Sequence, residues 1–335
     1  PHQRLSARLI SPAIASAGVA GEASMVPAGE PPVPSGPASF LRVLGVGSTG
    51  TVWLVAGEKP KEPPAALKVI VRSSEARCRS AEFSEELLLA QSSHPAIVRF
   101  FGSTSDFAKT YLLTEACQSG DLLSLIKARK EARAAASDPS SDGGTLLPES
   151  EVRSLAKCIA SALGFLHGKG IMFRDLKPEN LICNGHGKVK LVDFGLAKPF
   201  TAAEPSLTIC GTAEYVAPEV ITIQGHGCAV DWWGLGVVTY ELFHGFTPFS
   251  SEGTLTDPVD VYRRITHPDF KVSYAAVLPK PILSFLKRLM RRKSASRLGA
   301  AGAAEVELHP WLCDSEAAAI CRHLLPSPAI CRHLR

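Results

Sequence analysis

The segment Phe173-Arg174-Asp175-Leu176-Lys177-Pro178-Glu179-Asn180, followed thirteen residues after Asn180 by Asp193-Phe194-Gly195, gathers three carboxylates, an amide, an arginine and a lysine. Moving a phosphoryl group onto a hydroxyl needs a carboxylate to orient the hydroxyl and take its proton. It also needs a cation on the moving phosphate and oxygen ligands for Mg²⁺. Asp175, Lys177, and Asn180 with Asp193 fill those roles in that order. An isolated Arg-Asp pair would be an ordinary surface ion pair; the many positions in register around this one argue for chemistry instead. Upstream, Gly45-Val46-Gly47-Ser48-Thr49-Gly50-Thr51-Val52 is a glycine-rich loop where missing side chains let backbone N–H groups approach phosphates. A strand-like run follows those glycines, which disfavours a dinucleotide site, where a helix should follow. Lys68 lies in the apolar run Ala65-Ala66-Leu67-Lys68-Val69-Ile70 and needs an anionic partner there. Glu82, Glu85 and Glu86 are the candidates, and a Lys–Glu pair of this kind fixes a lysine on the α- and β-phosphates of ATP.

These residues need two kinds of scaffold. Phe40–Leu44, Thr51–Val55, Ala65–Val71, Ile97–Phe101 and Thr110–Thr114 are short apolar or β-branched runs, predicted to form a small antiparallel sheet. One helix, Ser80 through Gln91, interrupts them and stops before His94-Pro95. After Cys117 the pattern turns helical, with apolar spacing over Glu149–His167, Ala229–Phe243 and Pro281–Met290. Residues 128–147 read as a loop between helices. Residues 1–39, rich in Ala, Ser, Pro and Gly, read as a disordered extension; Arg4, Arg8 and the absence of acids up to Gly21 also match the bias of a transit peptide. The start at Pro rather than Met suggests a fragment or a processed form. The repeat Ala-Ile-Cys-Arg-His-Leu at 319–324 and 329–334 has too few copies for a solenoid.

Composition limits the alternatives. A chain of 335 residues with 45% hydrophobic and 20% charged residues can bury a large core, which excludes a fibre or a small disulfide scaffold. The net charge of +4 does not argue for nucleic acid. Nine cysteines without a CxxC pair fit reduced thiols in the cytoplasm, or also the nucleus. No apolar run reaches the ~18 residues of a membrane span, so the chain reads as soluble.

The glycine loop, Lys68, the 173–180 segment and Asp193-Phe194-Gly195 together resemble the eukaryotic protein kinase family over roughly residues 40–312. Thr208-Ile209-Cys210-Gly211-Thr212-Ala213-Glu214-Tyr215-Val216-Ala217-Pro218-Glu219 resembles the activation segment of AGC-group serine/threonine kinases, those similar to cyclic-nucleotide-dependent kinases. Phe173 before Arg-Asp and Asp231-Trp232-Trp233-Gly234-Leu235-Gly236 fit that group; Ala213, where the group usually has Pro, departs from it.

The resemblance implies an α+β, two-lobed kinase fold: a β-rich N-lobe over 40–114, a hinge at 115–117, a helical C-lobe over 118–312 and a short tail over 313–335. It implies Mg·ATP-dependent transfer to Ser or Thr of protein substrates. It implies a nucleotide site of Gly45, Val46, Gly47, Ser48, Thr49, Gly50, Val52, Ala66, Lys68, Glu85, Glu115, Cys117, Asp121, Asn180 and Asp193, the last two holding Mg²⁺. Thr114 falls behind the adenine. Asp175, Lys177, Lys68 and Thr212 form the catalytic set, with Thr212 bridging Asp175 and Lys177. Glu85 is expected to pair with Lys68, with Glu86 as the alternative. Thr208 matches the phosphorylation site of an upstream kinase, its phosphate pairing with Arg174 and Lys198. Glu219 and Arg297 match a buried ion pair. Asp121, Glu179 and Glu241 fall where basophilic members hold substrate arginines, with Ile209 and Val216 beside the residue after the acceptor. Ala81 stands where relatives place a His that touches the loop phosphate, and after Pro328, where the resemblance to the group's tail begins to fade, no Phe-x-x-Phe motif follows before Arg335. Two rivals remain: a pseudokinase scaffold, which would normally have lost Lys68, Asp175 or Asp193, and a small-molecule phosphotransferase, which would not need the segment 208–219. The two Cys-Arg-His triplets read as exposed helix ends rather than a metal site.

Overall fold

A computed structural model describes residues 40–47, 50–56, 63–71, 85–135, 144–183, 188–201, 204–250, 257–275 and 277–313. The expectations for residues 1–39, Ser48, Thr49, Ala81, Glu82 and 314–335 lie outside the described residues. The chain forms two compact units that divide between Gln118 and Ser119.

The first unit is a five-stranded antiparallel sheet in the order β1-β2-β3-β5-β4. Its strands are β1 (Phe40–Gly47), β2 (Gly50–Val55), β3 (Ala65–Val71), β4 (Phe100–Ser105) and β5 (Lys109–Glu115), with one short helix, α1 (Glu85–Ala90). The period-2 alternation sends Ala65, Leu67, Tyr111 and Leu113 into a core with Val55, against which Phe40, Trp53, Val69 and Phe101 pack. Lys68, one residue out of phase, points to the opposite face. Gly50 is required by space: a Cβ there would sit 2.2 Å from the Val69 carbonyl oxygen across the ladder. One strand differs from the sequence reading. Ile97 and Val98 are buried, at 1% and 5% exposure, but strand pairing starts only at Phe100. Burial of an irregular stretch mimics a strand's apolar run.

The second unit is helical, built on α2 (Leu122–Ala135), α3 (Glu149–Gly168), α4 (Pro218–Ile221), α5 (Ala229–His244), α6 (Pro258–Thr266), α7 (Lys280–Leu289) and α8 (Ala304–Glu307). Helix α2 corrects the reading of 128–147 as a loop. Residues 128–135 continue it because Ala, Lys, Arg and Glu are good helix formers, and Asp121 caps its start by accepting from the Ser124 N–H at 2.7 Å. Helix α3 buries Val152, Leu155, Ile159, Leu163 and Leu166 along one stripe. Helix α5 is buried on all sides from Val230 to Phe243. At ~1.5–3 kcal/mol for each large apolar side chain, this burial anchors the unit. Two small ladders rest on it: β6 (Ile171–Met172) with β9 (Lys198–Pro199), and β7 (Leu181–Cys183) with β8 (Val189–Leu191).

Candidate active site

In the sheet unit, β3 places Lys68 opposite Val52 of β2 and Leu112 of β5. Its Nζ lies 2.9 Å from both carboxylate oxygens of Glu85, with the two side chains 11% and 10% exposed. Glu86, the alternative partner, accepts instead from the Ser103 hydroxyl. Ala66 flanks Lys68 and is buried. Glu115 ends β5 and accepts the Arg99 N–H at 2.8 Å; Cys117 is half-buried.

In the helical unit, the loop between β6 and β7 carries Asp175, Lys177 and Asn180. Lys177 Nζ lies 2.9 Å from Asp175 Oδ2 and donates to Thr212 Oγ1 at 3.0 Å. Lys177 thus makes the bridge between Asp175 and Thr212 that the sequence reading assigned to Thr212, because its long side chain reaches both oxygens. Asn180 Nδ2 donates to the Asp175 carbonyl and to Oδ2, both at 2.8 Å. The β7–β8 register sets Leu181 opposite Leu191, and the Val192 N–H donates to the Asn180 carbonyl at 3.0 Å. Asp193 follows directly, so the ladder delivers it beside Asn180. Asp193 and Arg174 both take left-handed backbone, with φ of 61° and 68°. For non-glycine residues that conformation costs ~1–3 kcal/mol and persists only where surrounding contacts enforce it.

For Arg174 the enforcing group is Asp231, which sequence reasoning quoted only as part of a motif. Its carboxylate is 1% exposed and accepts the Phe173 N–H (2.9 Å) and the Arg174 N–H (2.8 Å), with His167 Nε2 at 2.7 Å. Phe173 also meets the Phe194 ring edge-on at 5.4 Å. The Asp231 contacts span more than fifty residues, so no local motif announces them.

Among the described residues no group of three or more His, Cys, Asp or Glu could hold a metal. The donor set is still the one a phosphate-bound Mg²⁺ requires. Mg²⁺ uses one or two protein oxygens and completes its shell with phosphate and water. Asn180 spends its amide N–H on Asp175, which leaves its oxygen as the ligand beside Asp193. The glycine loop fits an anion as well: a Cβ on Gly45 would meet nothing within 4 Å, so space rather than the chain's own packing faces that backbone. Asn180 and Asp193 thus fit a phosphate-bound Mg²⁺, and in the other unit the backbone at Gly45 fits a phosphate.

Thr208 is exposed and makes no side-chain hydrogen bond among the described residues. Arg174 donates through Nε to the Leu196 carbonyl (2.7 Å) and through Nη1 to Ser206 Oγ (3.2 Å). Arg297 and Glu219 form a two-bond pair at 2.6 and 2.7 Å, with Arg297 fully buried. Glu241 is buried and accepts from the Tyr215 hydroxyl at 2.7 Å. Burial pushes its carboxyl up to about 7, helped by the charges of Glu214 and Glu179 and opposed by the Tyr215 bond. Burial, then Glu241, pushes Tyr215 well above its usual range. Glu214, which sequence reasoning did not single out, accepts from Thr247 at 3.1 Å.

The sequence profile of the protein kinase domain matches residues 38–312, and the chain belongs to the protein kinase family. Within the family it is similar to cyclic-nucleotide-dependent kinases. It is 34% identical over 293 residues to cGMP-dependent protein kinase 2 of Homo sapiens, covering 86% of this chain and 36% of that protein. It is 32% identical to the cAMP-dependent protein kinase catalytic subunit of Arthrobotrys oligospora, covering 82% and 50%, and 35% identical to Protein kinase 2 of Dictyostelium discoideum, covering 81% and 53%. The chain therefore spans about half or less of these curated relatives.

Proposed function

We propose that the chain is a serine/threonine protein kinase, its kinase domain over 40–312, that transfers the γ-phosphoryl group of Mg·ATP to proteins in basic sequence contexts. The observation that carries this reading is the Asp175 carboxylate, held by Lys177 and Asn180 in a loop whose backbone Asp231 fixes. Asp175 orients the substrate hydroxyl and takes its proton. Lys177 supplies positive charge to the moving phosphoryl group, and Thr212 holds Lys177 in position. Lys68, aimed by Glu85, binds the α- and β-phosphates. Asn180 and Asp193 hold Mg²⁺, which neutralises charge on the phosphate oxygens when bound. Glu115 to Cys117 receive the adenine, walled by Val52 and Ala66.

Exposed Glu179 and half-buried Glu214, with the buried Glu241 carboxyl beside them, form an acidic cluster that favours arginines before the acceptor residue, and Asp121 is a further acid for this role. The exposed Thr208 is open to an upstream kinase, and a phosphate there would pair with Arg174 and Lys198. No helix among the described residues is long and apolar enough to cross a membrane. A reducing compartment such as the cytosol or nucleus suits a chain whose nine cysteines form no CxxC pair.

The test is γ-phosphate transfer to a positional-scanning Ser/Thr peptide library by wild type and by Asp193→Ala. Transfer with an arginine preference, lost by about a thousandfold in the variant, is expected. Transfer without an arginine preference removes the basic-context claim, and ATP binding without any transfer removes the kinase claim.

A further inference from the structure

Arg174 precedes Asp175, sits in left-handed backbone and has two side-chain contacts that come from downstream chain: the Leu196 carbonyl and Ser206 Oγ. Ser206 is 4% exposed, while Thr208, two residues on, is exposed. The backbone of Ser206 is fixed as well. Its N–H donates to the His226 carbonyl and its carbonyl accepts the His226 N–H, both at 2.9 Å, forming an antiparallel bridge. His226 is itself 4% exposed. Burial and the nearby Arg174 charge both hold its imidazole below its ordinary pKa, which keeps it neutral beside the guanidinium. Ser206 therefore ties three pieces of chain together: the 173–180 loop, the segment leading to Thr208 and the turn before α5.

From this geometry we propose that Ser206 is a positioning residue for phosphoryl transfer: its hydroxyl accepts from Arg174 and orders residues 204–212 when Thr208 is unmodified. This rests on the kinase reading above and adds to it a basal rate that needs no phosphate on Thr208. A phosphate on Thr208 would add to this anchor rather than create it. A hydrogen bond from a charged donor is among the stronger ones, and Ala at 206 removes its acceptor at a buried site.

The experiment compares Ser206→Ala and Ser206→Thr, each in a Thr208→Ala chain, with Thr208→Ala alone. Steady-state transfer to an arginine-rich peptide, melting temperature and backbone amide exchange over 204–212 are measured. Thr208→Ala is expected to keep a measurable basal rate. Ser206→Ala should lower its kcat about tenfold or more with KM for ATP within about twofold, and Ser206→Thr should restore it. Exchange over 204–212 should accelerate in Ser206→Ala while the melting temperature holds. A Thr208→Ala chain with no transfer, an unchanged kcat in Ser206→Ala, or a phosphate found on Ser206 in active wild type overturns the proposal. If wild type transfers nothing, the kinase reading is what fails, and amide exchange still decides the anchor: acceleration supports it and unchanged exchange overturns it.

Discussion

Lys68 owes its position to strand register and one carboxylate, whereas Asp175 sits in a loop whose backbone is tied down by a buried aspartate from a helix more than fifty residues away. The sheet unit presents its lysine on the face opposite its apolar core, so the ion pair with Glu85 lies outside the packing that holds the sheet together. The helical unit builds its reactive loop directly onto its core. Asp231 belongs to α5, the helix buried on all sides, and its carboxylate holds Phe173 and Arg174. Stability and activity are thus separable in the first unit and coupled in the second.

Removing Asp231 should do the most damage. Asp231→Ala strips two N–H groups and His167 of a buried acceptor, and a loss of about 3–5 kcal/mol in denaturant unfolding is expected, together with transfer activity. Full activity in that variant would separate the loop from the helix and break the comparison.

Glu219→Ala leaves the fully buried Arg297 without its partner, and a comparable loss of about 3–5 kcal/mol is expected. Pairing it with Arg297→Met should recover part of that loss in a double-mutant cycle. Neither residue touches the reacting groups, so kcat per folded molecule should change little.

Lys68→Met provides the opposite case. It should raise KM for ATP and lower kcat by about 10²-fold or more, while the unfolding of the helical unit stays unchanged. Equal losses of stability in Lys68→Met and Asp231→Ala would erase the distinction between the units.

The smallest effect is one of pH. With its carboxyl at about 7, Glu241 is mostly neutral at pH 6 and mostly a carboxylate at pH 8. KM for an arginine-containing peptide should fall by up to about tenfold over that range, with little change for a peptide lacking arginine. Because the folded carboxyl titrates above its unfolded value, the unfolded state releases its proton first. Stability contributed by the neutral form is therefore present below about pH 4.5 and declines as pH rises towards 7, which thermal melts of wild type and Glu241→Gln would register.

Much of this was legible from sequence, and the reasons are local. Ala65–Val71 is a continuous apolar run broken only by Lys68, and its strand bounds match the reading. Asp175, Lys177, Asn180 and Asp193 lie in one short stretch, so a hairpin register suffices to join them. Glu85 is the partner that the family resemblance implies, with Glu86 left open, and the helix turns Glu85 towards Lys68. What was missed is long-range or masked by composition. Asp231, Glu214 and Ser206 act through partners that no periodicity indicates. The clusters of Ala, Ser and Asp around residue 138 drew 128–135 into a predicted loop, although that stretch has strong helix formers and continues a helix that Asp121 caps at its start.

The most direct test of the central claim is the rate of γ-phosphoryl transfer to an arginine-rich peptide by wild type and by Asp175→Asn, with melting curves on the same samples. Asn preserves the shape of the side chain and removes the proton acceptor. A fall in kcat of about 10²–10⁴-fold with an unchanged melting temperature is the expected result. Transfer by Asp175→Asn at the wild-type rate would contradict the account.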